Sequence, residues 1–237
     1  MSHRQRLTAE KIAQRMRLVK PMVHLARIPI DPLRLERLPD AHAMPDLDAP
    51  DRGEVLEWNR HWGGQNLHFV LRSRFAAPKG WANPALHLPL GVAGDIITHP
   101  EALTYIDGQT VASADRYHHT FEVPDRFADG AEHRLLLHGW TGLNGWPPDP
   151  NDRSKLLLRD CAVVDIDRDL QAFLILAETA LDLSHELDEA RPEKHAILSA
   201  LDAAFLSLDT RDPMEDGFRA SIHPAMERLA HGLKTAA

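Results

Sequence analysis

The dipeptide Asp107-Gly108, set between two short β-favouring runs, constrains the fold of this chain more than any other feature. Asp-Gly in this position is a strong hairpin signal, because a tight primed turn needs positive φ at both central residues. A third run, residues 118–123, alternates, with His119, Phe121 and Val123 on one face and His118, Thr120 and Glu122 on the other. We therefore predict an antiparallel core between Thr104 and Trp146, with His118 facing outward and His119 inward.

Further β patterns lie on both sides of this core. Residues 67–75 alternate as a half-buried strand, residues 86–98 favour one or two strands, residues 132–138 favour another, and residues 156–166 are apolar on both faces, as in a central strand. Seven or eight short strands at this spacing are typical of an antiparallel β-sandwich, here jelly-roll-like.

Helical patterns flank the β region. Thr8 can cap a helix that runs to about Lys20, and a proline-rich extended lead follows to Pro50. After Asp167 the period changes to 3.6, in stripes that contain Leu170, Phe173, Leu174, Ala177 and Leu181, then Ile197, Leu201, Ala204, Phe205 and Leu208, then Phe218, Ile222, Met226, Leu229 and Leu233. We divide the chain into a helix and lead (1–57), a β-sandwich (58–167) and a helical segment (168–237).

Composition excludes several classes of function. The formal charge of -8 disfavours binding to nucleic acid, which requires a basic surface. The single cysteine, Cys161, lies in an apolar run and fits a buried position in a reducing compartment, so we expect a cytoplasmic protein. No apolar run is long enough to span a membrane.

Two chemical patterns have simpler structural explanations. The chain has 15 histidines, but His118 and His119 are adjacent on a predicted strand and point to opposite faces, so they do not converge on one metal ion. Asp165 and Asp167 could act as the carboxylate pair of a glycosidase. A helix cap at Asp167 or Asp169 accounts better for acidic residues at a strand-to-helix junction. We therefore predict neither a catalytic nor a metal site in this chain.

Two groups of residues are candidate contacts for a ligand or another domain. Asp115, Arg116 and His118 could make polar contacts with a ligand or another domain; alternatively, Asp115 bonds the turn backbone and Arg116 forms a surface ion pair. Three tryptophans beside glycines could stack on sugar rings or anchor loops by burial, namely Trp62, Trp140 and Trp146.

Several segments, in one order along the chain, carry a family resemblance: residues 60–69 (RHWGGQNLHF) with 78–81 (PKGW), residues 105–108 (YIDG), residues 115–118 (DRYH) and residues 140–145 (WTGLNG). As an ordered set they resemble the N-terminal β-domain of family 38 α-mannosidases of the cytosolic and vacuolar type. The resemblance covers nearly the whole chain. It implies a retaining, metal-dependent hydrolase of α-mannosides in the complete enzyme. It places the nucleophile and the ligands of a divalent metal such as zinc, with a His-X-Asp motif, downstream of Ala237.

Two functional hypotheses follow. In the first, the chain is the non-catalytic N-terminal region of such an enzyme, and its partner is the catalytic domain of the same enzyme or of a split partner chain. In the second, it is a free-standing carbohydrate-binding module for mannose-containing glycans. Under the first, we expect a helical stripe without a partner, an exposed apolar patch and self-association into a homo-oligomer.

Overall fold

The computed structural model of the chain describes residues 3–91, 99–143, 156–212 and 216–236. The chain forms two compact units, residues 1–25 with 166–237 and residues 26–165. The first is helical, and the second is built mainly of antiparallel β-strands. The predicted order of an N-terminal helix, antiparallel sheets and C-terminal helices is therefore confirmed. The linear division predicted from the sequence, 1–57, 58–167 and 168–237, is not the division by contacts: residues 1–25 group with the last three helices, and the lead from residue 26 onward belongs to the β unit. The second boundary falls within two residues of the predicted one.

The helical unit buries every predicted apolar stripe. It comprises α1 (His3–Val19), a 3₁₀ turn (Lys20–Val23), α2 (Arg168–Glu186), α3 (Pro192–Ser207) and α4 (Asp216–Ala236). All stripe residues lie in or against one apolar cluster, where the rings of Phe173 and Phe205 meet edge to face at 5.1 Å. Four large apolar side chains on these helices stay exposed: Leu18, Ile175, Leu183 and Leu206. The expectation of a stripe without a partner is thus not met among the described residues.

Two helix starts test the capping predictions. Asp167 precedes α2, and its carboxylate accepts the backbone N–H of Leu170 at 3.0 Å, so the predicted cap is confirmed. The prediction for Thr8 is wrong, because α1 already begins at His3 and Thr8 lies within it. The preceding residues include Gln5, Arg6 and Leu7, which favour helix and extend it toward the N-terminus.

Twelve strands are present in the described residues: β1 (His24–Pro29), β2 (Arg34–Arg37), β3 (Glu54–Val55), β4 (His61–Trp62), β5 (His68–Ala76), β6 (Pro84–His87), β7 (Glu101–Ile106), β8 (Gln109–Ala114), β9 (Thr120–Glu122), β10 (Glu132–Trp140), β11 (Leu156–Leu157) and β12 (Ala162–Ile166). They form a six-stranded sheet, β3-β2-β5-β10-β7-β8, a four-stranded sheet, β1-β12-β6-β9, and the pair β11-β4. One apolar cluster takes residues from both larger sheets, including Phe69 and Leu137 from one and Leu86 and Val163 from the other. This arrangement is consistent with a sandwich-like fold.

The proline-rich lead lies over the outer face of the six-stranded sheet and contributes strands to the β unit. Asp51 pairs with Arg74 at 2.6 Å and Asp48 with Arg134 at 3.2 Å, and both arginines project from that face. Covered in this way, β5 is buried on both faces, with Val70 0% and Arg72 3% exposed. The prediction of a half-buried β5 is therefore wrong over its middle.

The hairpin that organises the β prediction is present. Asp107 and Gly108 join β7 to β8 with φ of 47° and 76°, both positive, as the two-residue turn requires. The third predicted strand is shorter than expected, because β9 begins only at Thr120.

The predicted strand 156–166 is two strands in different sheets, β11 and β12. The chain changes partners between them: the N–H of Leu158 bonds the carbonyl of Arg60, and that of Arg159 bonds the carbonyl of Pro89. The second part, β12, is an inner strand, as predicted for the whole segment.

Candidate functional site

Two segments that carry the family resemblance meet at Thr141. The Thr141 hydroxyl accepts the N–H of Leu67 at 3.0 Å and donates to the carbonyl of Gly64 at 2.6 Å. Its backbone N–H donates to the carbonyl of Leu67, and the N–H of Asn66 donates to that of Gly142, each at 3.0 Å. The hydroxyl is fully buried and uses both its donor and its acceptor capacity. This Thr141 latch fixes residues 64–67 against 141–142.

Trp140 ends β10 beside the latch. It is half-buried and lies opposite His68 of β5 and Glu101 of β7. Its indole N–H donates to the side-chain oxygen of Asn66 at 2.5 Å. Because an indole has one donor and no acceptor, this bond orients the ring and leaves the rest of its surface apolar.

Gly139 allows the strands to approach closely at this point. A Cβ there would lie 2.2 Å from the carbonyl oxygen of Glu101 and 2.7 Å from the Cβ of Ala102. Only glycine therefore fits between β10 and β7 without moving backbone.

A groove of about 450 Å³ opens beside Trp140 and is termed the Trp140 groove. Its polar and aromatic lining consists of His68, Glu101, Ser113, Asp115, His138 and Trp140. Leu103, which is 47% exposed, adds apolar surface. Burial, and then the charge of nearby His68, lowers the pKa of His138, so its imidazole is neutral at pH 7.

Asp115 organises the turn after β8. Its carboxylate accepts the backbone N–H groups of Tyr117 and His118, each at 2.7 Å, and contacts the His118 ring at 2.9 Å. Burial raises the pKa of Asp115, but these hydrogen bonds outweigh it and hold the pKa below its usual value. The interpretation of Asp115 as a residue that bonds the turn backbone is therefore confirmed. The carboxylate also borders the Trp140 groove.

The two histidines of this turn face as predicted, although they precede β9. The His118 side chain is 71% exposed. His119 is half-buried, with its ring 5.3 Å from that of His87. The turn at Asp115, rather than strand alternation, orients His118. His119 lines a second cavity, of about 270 Å³, together with Arg116 and Arg159, and the Arg116 guanidinium lies 5.2 Å from the Tyr117 ring centroid.

The other candidate tryptophans do not line the groove. Trp62 is only 7% exposed, donates its indole N–H to the carbonyl of Leu90 at 2.6 Å, and meets Phe69 edge to face. Trp62 therefore anchors the core, and its interpretation as an exposed ring that stacks on a sugar is wrong. Trp146 lies outside the described residues.

A buried histidine between two carboxylates was missed by sequence reasoning. His133 Nδ1 lies 2.7 Å from Asp107, and its Nε2 lies 3.0 Å from Asp129. Burial lowers the pKa of His133, yet the two carboxylates outweigh burial and raise the pKa above its usual value. Phe75 and Phe127 pack around the ring. This His133 staple ties the hairpin turn to the loop before β10.

The acidic pair considered for catalysis has structural partners. Asp165 accepts the backbone N–H of Asn83 at 2.8 Å, and Asp167 caps α2. Within residues 3–91, 99–143, 156–212 and 216–236, no group of three or more His, Cys, Asp or Glu side chains is arranged to hold a metal ion. Burial raises the pKa of the Cys161 thiol. Across the same ranges, no helix is both long enough and apolar enough to cross a bilayer.

Comparison with known proteins yields little. No protein-family model matches the chain, and no curated protein matches it. Among solved structures, the chain has a weak likeness to the β-glucosidase of Kluyveromyces marxianus, at 12% identity and a TM-score of 0.30. The match covers 62% of this chain and 19% of that chain. A likeness to a glycosidase at this level carries no argument about fold or function.

Proposed function

We propose that this chain is a non-catalytic accessory region of an enzyme similar to the family 38 α-mannosidases. In the complete enzyme, its jelly-roll-like sandwich and helices support the domain that hydrolyses α-mannosides. The partner is that domain, in the same polypeptide or in a split chain. The divalent metal, such as zinc, belongs to the partner. A cytoplasmic location is part of the same proposal. So is assembly into a homo-oligomer, through a surface other than the predicted helical stripes, since these are buried within the helical unit.

The observation that carries the proposal is the Thr141 latch. The hydroxyl of Thr141 and the carbonyl of Gly64 are 77 residues apart in sequence, and they belong to two of the segments that carry the resemblance. These two segments, which stand in the order that the resemblance requires, are hydrogen-bonded to each other and so belong to one structural unit. The resemblance therefore concerns an assembled part of the β unit.

Hydrolysis of an aryl α-mannoside by the highly purified chain, with and without cobalt or zinc, tests the non-catalytic part. We expect no turnover, because retaining hydrolysis needs two carboxyl groups about 5 Å apart, whereas Asp165 and Asp167 are held by backbone N–H groups. The Asp165→Ala and Asp167→Ala variants are run in parallel. Turnover that disappears in either variant would place an active site in this chain and refute the proposal.

A free-standing carbohydrate-binding module is the second candidate, and the Trp140 groove is the observation that favours it. A glycan-array signal from the isolated chain, together with a coding sequence that lacks a His-X-Asp motif beyond Ala237, would favour this candidate. A coding sequence that continues into such a motif would favour the accessory region.

A further inference from the structure

We propose that the Trp140 groove is a binding site for the ring of a neutral hexopyranoside. The Trp140 indole would lie against the apolar face of the sugar, and Glu101, His68 and His138 would bond its hydroxyl groups. The inference rests on the second candidate function and names the ligand class of that groove. The site lies wholly within the β unit and does not require the accessory role, so it can fail while the accessory role stands, and the reverse.

The shape and surface of the groove fit a sugar ring. Its volume of about 450 Å³ falls in the range of roughly 300–1,000 Å³ typical of small-molecule sites. A pyranose has one face of C–H groups and a rim of hydroxyls, and it therefore needs an apolar plane beside polar groups. Trp140 provides the plane, because its single donor already bonds Asn66.

The polar groups of the groove suit hydroxyls. The Glu101 carboxylate, 58% exposed and 3.2 Å from His99, accepts hydrogen bonds only. A neutral imidazole at His138 has one N–H donor and one acceptor nitrogen. Because a hydroxyl can both donate and accept a hydrogen bond, sugar hydroxyls are suitable partners for either nitrogen. Glu101 and His138 project from neighbouring strands on the two sides of Gly139, where close approach of β7 and β10 brings them together.

Charge selects among sugars. The described lining holds two carboxylates, Glu101 and Asp115, and no lysine or arginine. A carboxylated or sulfated sugar would meet like charge from these two carboxylates, with no lysine or arginine in the described lining to offset it. Neutral hexopyranosides are therefore favoured over acidic ones.

The test is an NMR titration of the ¹⁵N-labelled chain with sugars, in which the indole N–H signal of Trp140 is monitored. The spectrum of the Trp140→Phe variant, which lacks this signal, assigns it. The probes are methyl α-D-mannopyranoside, methyl α-D-glucopyranoside and, as the acidic comparison, N-acetylneuraminic acid. We expect a saturable shift of this signal with at least one neutral pyranoside and none with the acid. No saturable shift with either neutral sugar would overturn the proposal.

Matched variants locate the site. Trp140→Ala should weaken binding about tenfold, as loss of a stacked ring predicts. Tyr117→Ala removes an aromatic ring that is 74% exposed and does not line the groove, and it should change affinity less than about twofold. If Trp140→Ala does not fold, Glu101→Gln replaces it, with an expected loss of about fivefold. Unchanged affinity in a folded Trp140→Ala or in Glu101→Gln would contradict the assignment, as would equal loss in Tyr117→Ala.

Discussion

The helical unit and the β unit are stabilised in different ways. The helices bury apolar stripes in one cluster, and among the described residues only two buried polar side chains belong to them, Ser184 and Lys194. The β unit has its own apolar cluster and also buries five polar side chains: Arg72, Ser73, Thr104, His133 and Thr141. Candidate chemistry therefore concentrates in the β unit.

The difference follows from how each structure satisfies its backbone. A helix pairs its own N–H and C=O groups, so its side chains need to supply mainly an apolar face. Turns and sheet edges leave backbone groups that side chains must satisfy. Thr141 and Asp115 do this directly, by accepting backbone N–H groups.

The largest expected loss of stability comes from removal of one buried phenylalanine ring from either apolar cluster, and it tests whether the two units unfold separately. Phe69 of β5 and Phe173 of α2 are both fully buried, and replacement of either by alanine should cost about 4 kcal/mol. All five tryptophans lie in residues 26–165, so tryptophan fluorescence reports on the β unit, while circular dichroism at about 222 nm reports mainly on helices. We expect Phe173→Ala to lower the dichroism midpoint in urea more than the fluorescence midpoint, and Phe69→Ala to do the reverse. Equal shifts of both probes in both variants would show that the two units unfold as one.

The next effect compares two glycines. Gly139→Ala would force a Cβ to 2.2 Å from the backbone oxygen of Glu101, and it should cost about 3 kcal/mol. Gly232→Ala in α4 meets the Ala200 Cβ at 2.5 Å, but higher helix propensity offsets about 1 kcal/mol, so its net cost should be nearer 1 kcal/mol. Urea unfolding measures both.

Gly64→Ala is the control for this pair, because no atom lies nearer than 3.9 Å to its added Cβ, and it should change stability by less than about 0.5 kcal/mol. If Gly232→Ala were as destabilising as Gly139→Ala, the helical unit would be as intolerant of added volume as the strand contact.

The smallest effect is a pH dependence confined to the β unit. The pKa of His133 is raised in the folded state. The protonated ring therefore contributes to folding stability in full below about pH 6.5, and this stabilisation is lost as pH rises through the folded pKa. The pKa of Asp107 is lowered: burial raises it, but the bonds from His133 and the Arg134 N–H outweigh burial. The ionised Asp107 carboxylate therefore contributes to folding stability in full above about pH 3.9, and this stabilisation is lost as pH falls through the folded pKa.

His133→Gln should therefore destabilise the β unit most near pH 5, by about 1 kcal/mol, and less near pH 8; the value is modest because Asp129 is half exposed and solvent screens it. Fluorescence-detected unfolding between these pH values measures the change. His118→Gln is the comparison, since that ring is 71% exposed beside Asp115, and it should cost less than about 0.5 kcal/mol. If His133→Gln lowered the free energy of unfolding by the same amount at every pH, His133 would not stabilise the fold through its protonated form.

Local patterns of the sequence predicted much of this fold. The apolar residues of the helical stripes repeat every three to four positions. The hairpin at Asp107-Gly108 is indicated by this dipeptide and the two β-favouring runs beside it. Both patterns are local, so they could be recognised without knowledge of the tertiary structure. Asp167 was likewise recognisable as a cap. The break at Leu158 was not, because its cause is a change of hydrogen-bond partners to Arg60 and Pro89.

The candidate site depended on register. His133, Asp107 and Asp129 converge only when β10 is aligned with β7, and the sole sequence hint is the four-residue spacing of Asp129 and His133. Trp140 could be selected as one of three tryptophans beside glycine. Its position opposite His68 and Glu101, which forms the groove, required the pairing of three strands.

The most direct test of the accessory role is aryl α-mannoside hydrolysis by three purified polypeptides. These are the chain alone, a longer product, and the longer product without residues 1–237. The longer product is the coding sequence read past Ala237 or, if a second gene encodes the catalytic domain, the chain together with that partner. We predict no turnover by the chain alone, with or without cobalt or zinc, metal-dependent turnover by the longer product, and reduced activity or stability once residues 1–237 are removed. Turnover by the chain alone that is lost in Asp165→Ala or Asp167→Ala, or a longer product without α-mannosidase activity, would contradict the proposal.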